Sequence, residues 1–410
     1  MATSQTSPVL EPAASHGAGA AITRIARDLR FRIASGEFGA LPVVLGLVLI
    51  WSYFELQDEH FLTARNLSNL VLQISVSGTI AIGVVLVLLL GEIDLSVGSV
   101  AGATAAVLGV LLVNDNWPWW ASIVAMFVVG ALIGAFQGAW FAVLRVPSFV
   151  VTLAGLLGWL GVQLHVLGDA GTLNVFDRHI TAIASTFLPE AWGWALAITA
   201  AAGYAGSRLR EHARRRRAGM SVRPLPVLFA QAAVIAAVSL GAVAVLNRAY
   251  GVPTAGVFLL GLVVFFDWLA RRTRFGRHIY AVGGHTEAAR RAGISVARVR
   301  IYVFTLAGTL SAVGGLISTA RLQAASTQTG GGTLLLEAIA AAVIGGTSLF
   351  GGRGNVWAAL LGALVIGSVS NGLDLVGQPA DVKYMVEGAI LLLAVTIDAF
   401  SRRRLTVAGR

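Results

Sequence analysis

The segment Arg271–Arg300 reads RRTRFGRHIYAVGGHTEAARRAGISVARVR. It carries eight arginines, and apolar runs long enough to cross a bilayer flank it on both sides. Near its centre Thr286 is a candidate N-cap, Glu287 and the Ala288–Ala289 pair favour helix, and Gly293 ends it. A short capped helix between two membrane spans has to face water or a soluble partner. The reading is therefore a bundle of membrane helices with a protruding contact point, and the question is what docks there.

Composition agrees with that reading. Of 410 residues 56% are hydrophobic and 12% charged, and a soluble domain carries about twice that charged share. Twelve apolar runs lie at 40–56, 67–90, 94–113, 119–144, 148–168, 190–207, 225–246, 250–270, 300–320, 334–350, 354–373 and 383–400. We expect an all-α polytopic bundle of about 10–12 spans. With the N-terminus inside, 25 of the 30 basic residues fall in inside segments and 5 outside. That sorting places both termini and the 271–300 loop in the cytoplasm. The expected organisation is a cytoplasmic tail at 1–38, a membrane domain at 39–400 and a cytoplasmic tail at 401–410. In the first tail Ile22, Ile25, Leu29 and Ile33 share one helical face. This suits either an interfacial amphipathic helix or a plain basic flank. The first apolar run, from Phe38, starts too far in and is too long for a cleavable signal.

Several chemistries are excluded. The chain has no cysteine, so disulfides, thiolate metal sites and cysteine nucleophiles are absent. Its one lysine, Lys383, precedes Tyr384 and follows no Gly, so a standard P-loop cannot form. If ATP drives this protein, another subunit binds the nucleotide, and no cofactor is expected on this chain. The seven histidines form no H-x-x-x-H pair, and no G-x-S-x-G elbow occurs. The run Arg214–Arg217 reads as a topology anchor near anionic lipid rather than a nucleic-acid patch. Trp117, Trp119, Trp120, Trp192 and Trp194 read as an interfacial belt.

Glycine marks where helices approach and where they break. Gly130, Gly134 and Gly138 recur every fourth residue, as do Gly98 and Gly102, a spacing that lets backbones come close in lipid. GEIDLSVGS, residues 91–99, is a polar island between two apolar runs. Asp94 and Ser96 are either helix caps there or part of a gate. VLLLGEIDLSVGSVAGATAAV from Val87 is echoed by AAVIGGTSLFGGRGNVWAALLGALV from Ala341. Paired broken helices in two halves of a transporter point to a central pathway. Candidate pathway or gate residues are Asp94, Ser96, Gln137, Ser348 and Asn371. Asp267 and Asp398 read as interfacial ion-pair partners of the nearby arginines, and Glu387 follows Lys383 at the i,i+4 spacing of a helix pair. With Glu337 they look too scattered for a proton relay.

Four stretches then resemble one family. NLSNLVLQISVSGTIAIGVVLVLLLGEIDLSVGSVAG, PSFVVTLAGLLGWLGV, GRHIYAVGGHTEAARRAGISVARVRIYVFTLAGTLSAVGGLI and EAIAAAVIGGTSLFGGRGNVWAALLGALVIG come in the order found in permease subunits of bacterial sugar ABC importers. The likeness covers about 40–400 and is nearest the xylose-type members, with an insert at about 185–250. It implies a homodimer in the inner membrane that receives a monosaccharide from a periplasmic or extracellular binding protein. It also implies docking on a cytoplasmic ABC ATPase, which holds the ATP–Mg, through Thr286, Glu287, Ala288, Ala289, Arg290, Arg291, Gly293 and Ile294, with Ala292 between. The substrate it implies is a pentose such as xylose. An ion-coupled secondary transporter of a small polar solute explains the hydropathy equally well and is the alternative.

Overall fold

A computed structural model describes residues 41–220, 222 and 224–407. The expected amphipathic helix at 22–33 lies outside the described residues. The chain forms a helical bundle, and each of the twelve apolar runs contains one long or broken helix. These are α1 (Leu41–Gln57), α2 (Ala64–Leu89), α3 (Val97–Val113), α4 (Trp119–Leu144), α5 (Ser148–Leu167) and α7 (Glu190–Arg217). They continue with α8 (Leu225–Leu246), α9 (Thr254–Arg272), α12 (Val296–Leu322), α13 (Leu334–Ile344), α14 (Trp357–Leu375) and α15 (Ala380–Val407). Short helices α6 (Arg178–Ser185), α10 (Arg274–Gly284) and α11 (Thr286–Arg291) lie in the connections. Seven of the helices, α2, α4, α5, α8, α9, α12 and α14, are long and apolar enough to span a membrane. Three more, α1, α3 and α13, are apolar but shorter, and α7 and α15 run on into arginines.

Besides the longer α7 and α15, two segments differ from the sequence reading. The 271–300 segment holds more helix than expected, because Phe275, Ile279 and Val282 recur at helical spacing along α10 and pack inward among the arginines. The run at 334–350 is helical only to Ile344, because Gly345 and Gly346 (φ +99°) turn the chain.

The bundle has two distinct ends. At one, which we call the basic end, the 91–96 break, the α4–α5 turn, α10–α11 and the 345–356 break come together. At the opposite end two short antiparallel ribbons tie distant connections. β1 (Thr172–Asn174) pairs with β4 (Ala324–Ser326), and β2 (Phe187–Leu188) with β3 (Val252–Pro253). The two echoed breaks thus meet, with Gly352 N–H donating to the Leu89 carbonyl at 3.0 Å.

α2 is the central post, buried continuously from Ile74 to Leu90 and packed against α12, α13 and α14. The helices approach through glycine, and the spaced glycines of α4 find their partner in α12. A Cβ at Gly134 would collide with the Phe304 carbonyl oxygen, and one at Gly130 would lie 2.7 Å from the Gly308 oxygen. Likewise Gly98 and Gly102 of α3 admit the backbone of residues 329–330, an irregular stretch that enters the bundle before α13. Unwound backbone in an apolar bundle needs side-chain partners. Here Gln163 Nε2 donates to the carbonyls of Ser326 and Thr329, at 2.8 Å each. Leu132, Phe136 and Val143 of α4 and Phe258 and Phe265 of α9 stay on the outer surface, as lipid-facing side chains must.

Overpacking of a close helix contact costs about 1–3 kcal/mol. Gly134→Val should therefore lower the thermal unfolding midpoint in detergent, whereas Gly158→Val, with nothing within 4 Å of its new Cβ, should leave it close to that of the parent. Equal midpoints for the two variants would show that the α4–α12 contact yields.

Candidate functional site

The proposed docking residues form a compact knob at the basic end. α11 is six residues long, and its cap is His285 rather than Thr286: His285 Nδ1 accepts from Ala288 N–H at 3.2 Å. The Thr286 hydroxyl instead donates back to the Val282 carbonyl of α10, at 2.9 Å. Glu287 and Arg290 pair across one turn at 2.9 Å, both about 60% exposed. Ala288, Arg291 and Gly293 are also exposed, Ala289 is buried, and Ile294 is half-buried against the main core. Gly293 stands at φ +83°, the left-handed stop that its position required.

The knob rests on a rigid base. Thr273 Oγ1 caps α10 by accepting from Gly276 N–H at 3.1 Å. At the other end of α10 a Cβ on Gly283 would collide with the Leu89 carbonyl oxygen. Tyr280 O–H donates to the Gly354 carbonyl at 2.9 Å, joining α10 to the second break. Between α11 and the α4–α5 turn opens a hollow of about 680 Å³, lined among others by Glu92, Phe141, Arg145, Ser148, Arg290 and Arg300.

Three of the five pathway candidates come together behind this base. Asp94 is buried, and its Oδ1 accepts from Ser96 N–H at 2.8 Å and Ser96 O–H at 2.6 Å. Neither side chain caps α3, because Asp94 turns onto Ser96. Ser96 Oγ also lies 3.0 Å from the side-chain amide of Gln137 on α4. The hydroxyl has one proton and two acceptors within reach, Asp94 Oδ1 at 2.6 Å and Gln137 Oε1 at 3.0 Å. The amide nitrogen of Gln137 sits over Gly155 of α5, beside the indole N–H of Trp159, and neither has a hydrogen-bond partner among the described residues. The other two candidates stand apart. Ser348 shapes the 345–356 turn, its N–H donating to the Arg353 carbonyl at 3.0 Å. Asn371 lies at the opposite end, where its Oδ1 accepts from Asn66 at 2.8 Å and joins α14 to α2.

The charged residues also sort. Asp267 pairs with Arg271 at 2.8 Å, as expected. Lys383 binds Asp374 and not Glu387. Glu337 and Glu387 are buried on α13 and α15, which pack together, so these two are less scattered than their spacing suggested. Sequence reasoning missed a contact of a different kind: Glu92 meets Arg300 at 2.6 Å, across 208 positions. The sequence signal was a carboxylate, Glu92, beside an apolar run, which needs water, a helix N-terminus or a partner.

The family described as branched-chain amino acid transport system / permease component matches residues 66–395. The xylose transport system permease protein XylH of Escherichia coli (strain K12) is 38% identical over 367 residues, which is 90% of this chain and 92% of that protein. XylH of Haemophilus influenzae is 36% identical, covering 92% of this chain and all of its own length. The ribose import permease protein RbsC of Escherichia coli (strain K12) is 32% identical, over 87% of this chain and 92% of its own. No solved structure matches.

Leaving a buried polar group without its hydrogen bond costs about 1–3 kcal/mol. Ser96→Ala should thus reduce stability against thermal unfolding by that order, and Ser348→Ala, which removes a weak 3.3 Å turn contact, should not. A Ser96→Ala protein as stable as its parent would show that Asp94 is supported from elsewhere.

Proposed function

Because this chain belongs to the branched-chain amino acid transport system / permease component family, we propose that it is the membrane-spanning subunit of an ATP-driven importer whose cargo is a monosaccharide. The family's description names branched-chain amino acids, but the relatives above carry xylose and ribose in their names. Their identity over nine-tenths of the chain favours a pentose such as xylose. The chain is a multi-pass inner-membrane transport component and not an enzyme. Its partners are a cytoplasmic ABC ATPase, on which ATP–Mg binds, and a sugar-binding protein on the outer side. Two copies pair to make the transporter.

The observation that carries this reading is α11, an exposed knob closed by Gly293 and set on a base that cannot yield. In the proposed orientation the basic end and both termini face the cytoplasm, and the ATPase grips Thr286–Ile294. Nucleotide-driven closure of the ATPase pulls the knob, α9, α10 and α12 tilt together, and the passage alternates between the two sides. Asp94, Ser96 and Gln137 lie where such a tilt is felt, and they offer hydroxyl-binding groups with no deep well. Ser348 shapes the second break that meets theirs, and Asn371 holds the far end of α14.

Three measurements test this. In proteoliposomes holding the chain, its ATPase and the binding protein, xylose uptake should require ATP on the knob side. Uptake driven by an ion gradient without the ATPase would refute the reading. A β-branched residue at positive φ is strained by about 1–3 kcal/mol, so Gly293→Val should weaken co-purification with the ATPase and lower uptake, and unchanged values for both would remove α11 from the contact. The chain has no cysteine, so Glu287→Cys gives a single labelling site. An impermeant maleimide should reach it only after the cells are opened, and labelling of intact cells would reverse the orientation.

A further inference from the structure

We propose that Glu92 and Arg300 are positioning residues for transport: their ion pair ties the docking knob to the buried Asp94–Ser96–Gln137 network. The inference rests on the ATPase-driven reading above.

The tie starts at the knob. α12 begins at Val296, two residues beyond Ile294, and Arg300 lies one turn in. A displacement of α11 therefore reaches Arg300 without passing through a flexible linker. The guanidinium meets Glu92 Oε1 at 2.6 Å, and the two side chains are 23% and 14% exposed. The same guanidinium lies over the ring of Phe141, 5.2 Å from its centroid. Both contacts lead to the network. Glu92 is two residues from Asp94, and Ile93 between them is fixed to α5, its carbonyl accepting from Thr152 Oγ1 at 3.3 Å. Phe141 is four residues from Gln137 and so shares its face of α4.

An ion pair of this exposure adds little net stability. Partly buried ions lose hydration, and apolar side chains of similar volume fill such sites at equal or lower cost. Among the described residues Arg300 Nε has no acceptor. What the pair provides, and a hydrophobic contact would not, is a directional connection between α12 and the 91–96 break that holds one register.

The experiment uses proteoliposomes containing the chain, its ATPase and the binding protein, with xylose as cargo. Sugar moved per ATP hydrolysed is the readout, beside co-purification and the thermal midpoint. Glu92→Gln and Arg300→Met should keep the ATPase bound and hydrolysing while sugar moved per ATP falls by about fivefold or more, the scale of a typical coupling energy. The exchange Glu92→Arg with Arg300→Glu should recover much of that ratio. Single variants with the parental ratio would overturn the proposal. So would a fall in uptake and hydrolysis together with loss of the ATPase, which would mean that the pair only holds the fold. If the exchange variant does not fold, Glu92→Gln, which keeps the side chain's shape and loses its charge, carries the test: a lowered ratio with a parental thermal midpoint supports the tie, and a parental ratio overturns it. A parental protein that moves no sugar with ATP would instead overturn the reading on which the tie rests.

Discussion

At the Leu89 carbonyl three parts of the chain meet with no side chain between them. Gly352 N–H donates to it, and Gly283 of α10 lies so close that a methyl group there would strike it. A Cβ on Gly351 would come within 2.8 Å of both the Gly283 oxygen and the Gly91 backbone. Backbone against backbone leaves no soft material to absorb movement, since packed interiors shift between arrangements and do not deform smoothly. The end of the central post, the base of the knob and the second break therefore behave as one piece. The transport mechanism proposed above needs that rigidity at this spot.

The same economy governs the polar groups. A bundle in lipid has no water to satisfy an unwound backbone or a buried carboxylate. Gln163 serves the carbonyls of Ser326 and Thr329, and Ser96 serves Asp94. Gln163 reaches its break from another helix, whereas Ser96 belongs to the same 91–96 break as Asp94. A change at Gln163 is consequently felt at a distance from its own helix.

What could be read from the sequence was local, and what could not was pairwise. The register of Gly130, Gly134 and Gly138 announced a close helix contact, but nothing in it named α12 as the partner. Gly293 was legible because only a left-handed stop explains a glycine after TEAARRA, and the structure puts it at φ +83°. The His285 cap was not legible, because a ring nitrogen accepts from the helix end only when the backbone before it has turned. α10 was hidden by its charge: Phe275, Ile279 and Val282 carry the helical spacing, but the arginines around them read as loop. Asp94, Ser96 and Gln137 could each be chosen as polar residues in apolar surroundings. Glu92 and Arg300 could not be paired by any rule of spacing, since they meet only when α2 and α12 do. Orientation in the membrane still rests on how the arginines are distributed.

The α4–α12 contact also has a bearing on biosynthesis. The glycine face of α4 has nothing to close against until Phe304 and Gly308 have been made, and the β1–β4 ribbon cannot form before Ser326. In the first half α3 can already pack on α4 and α5, and α7 and α8, neighbours in both sequence and space, can pair early as a hairpin. The insertion of α12 between α2 and α4 is then the event that joins these parts into one bundle, so a chain whose synthesis stops before it lacks the helix that holds them together.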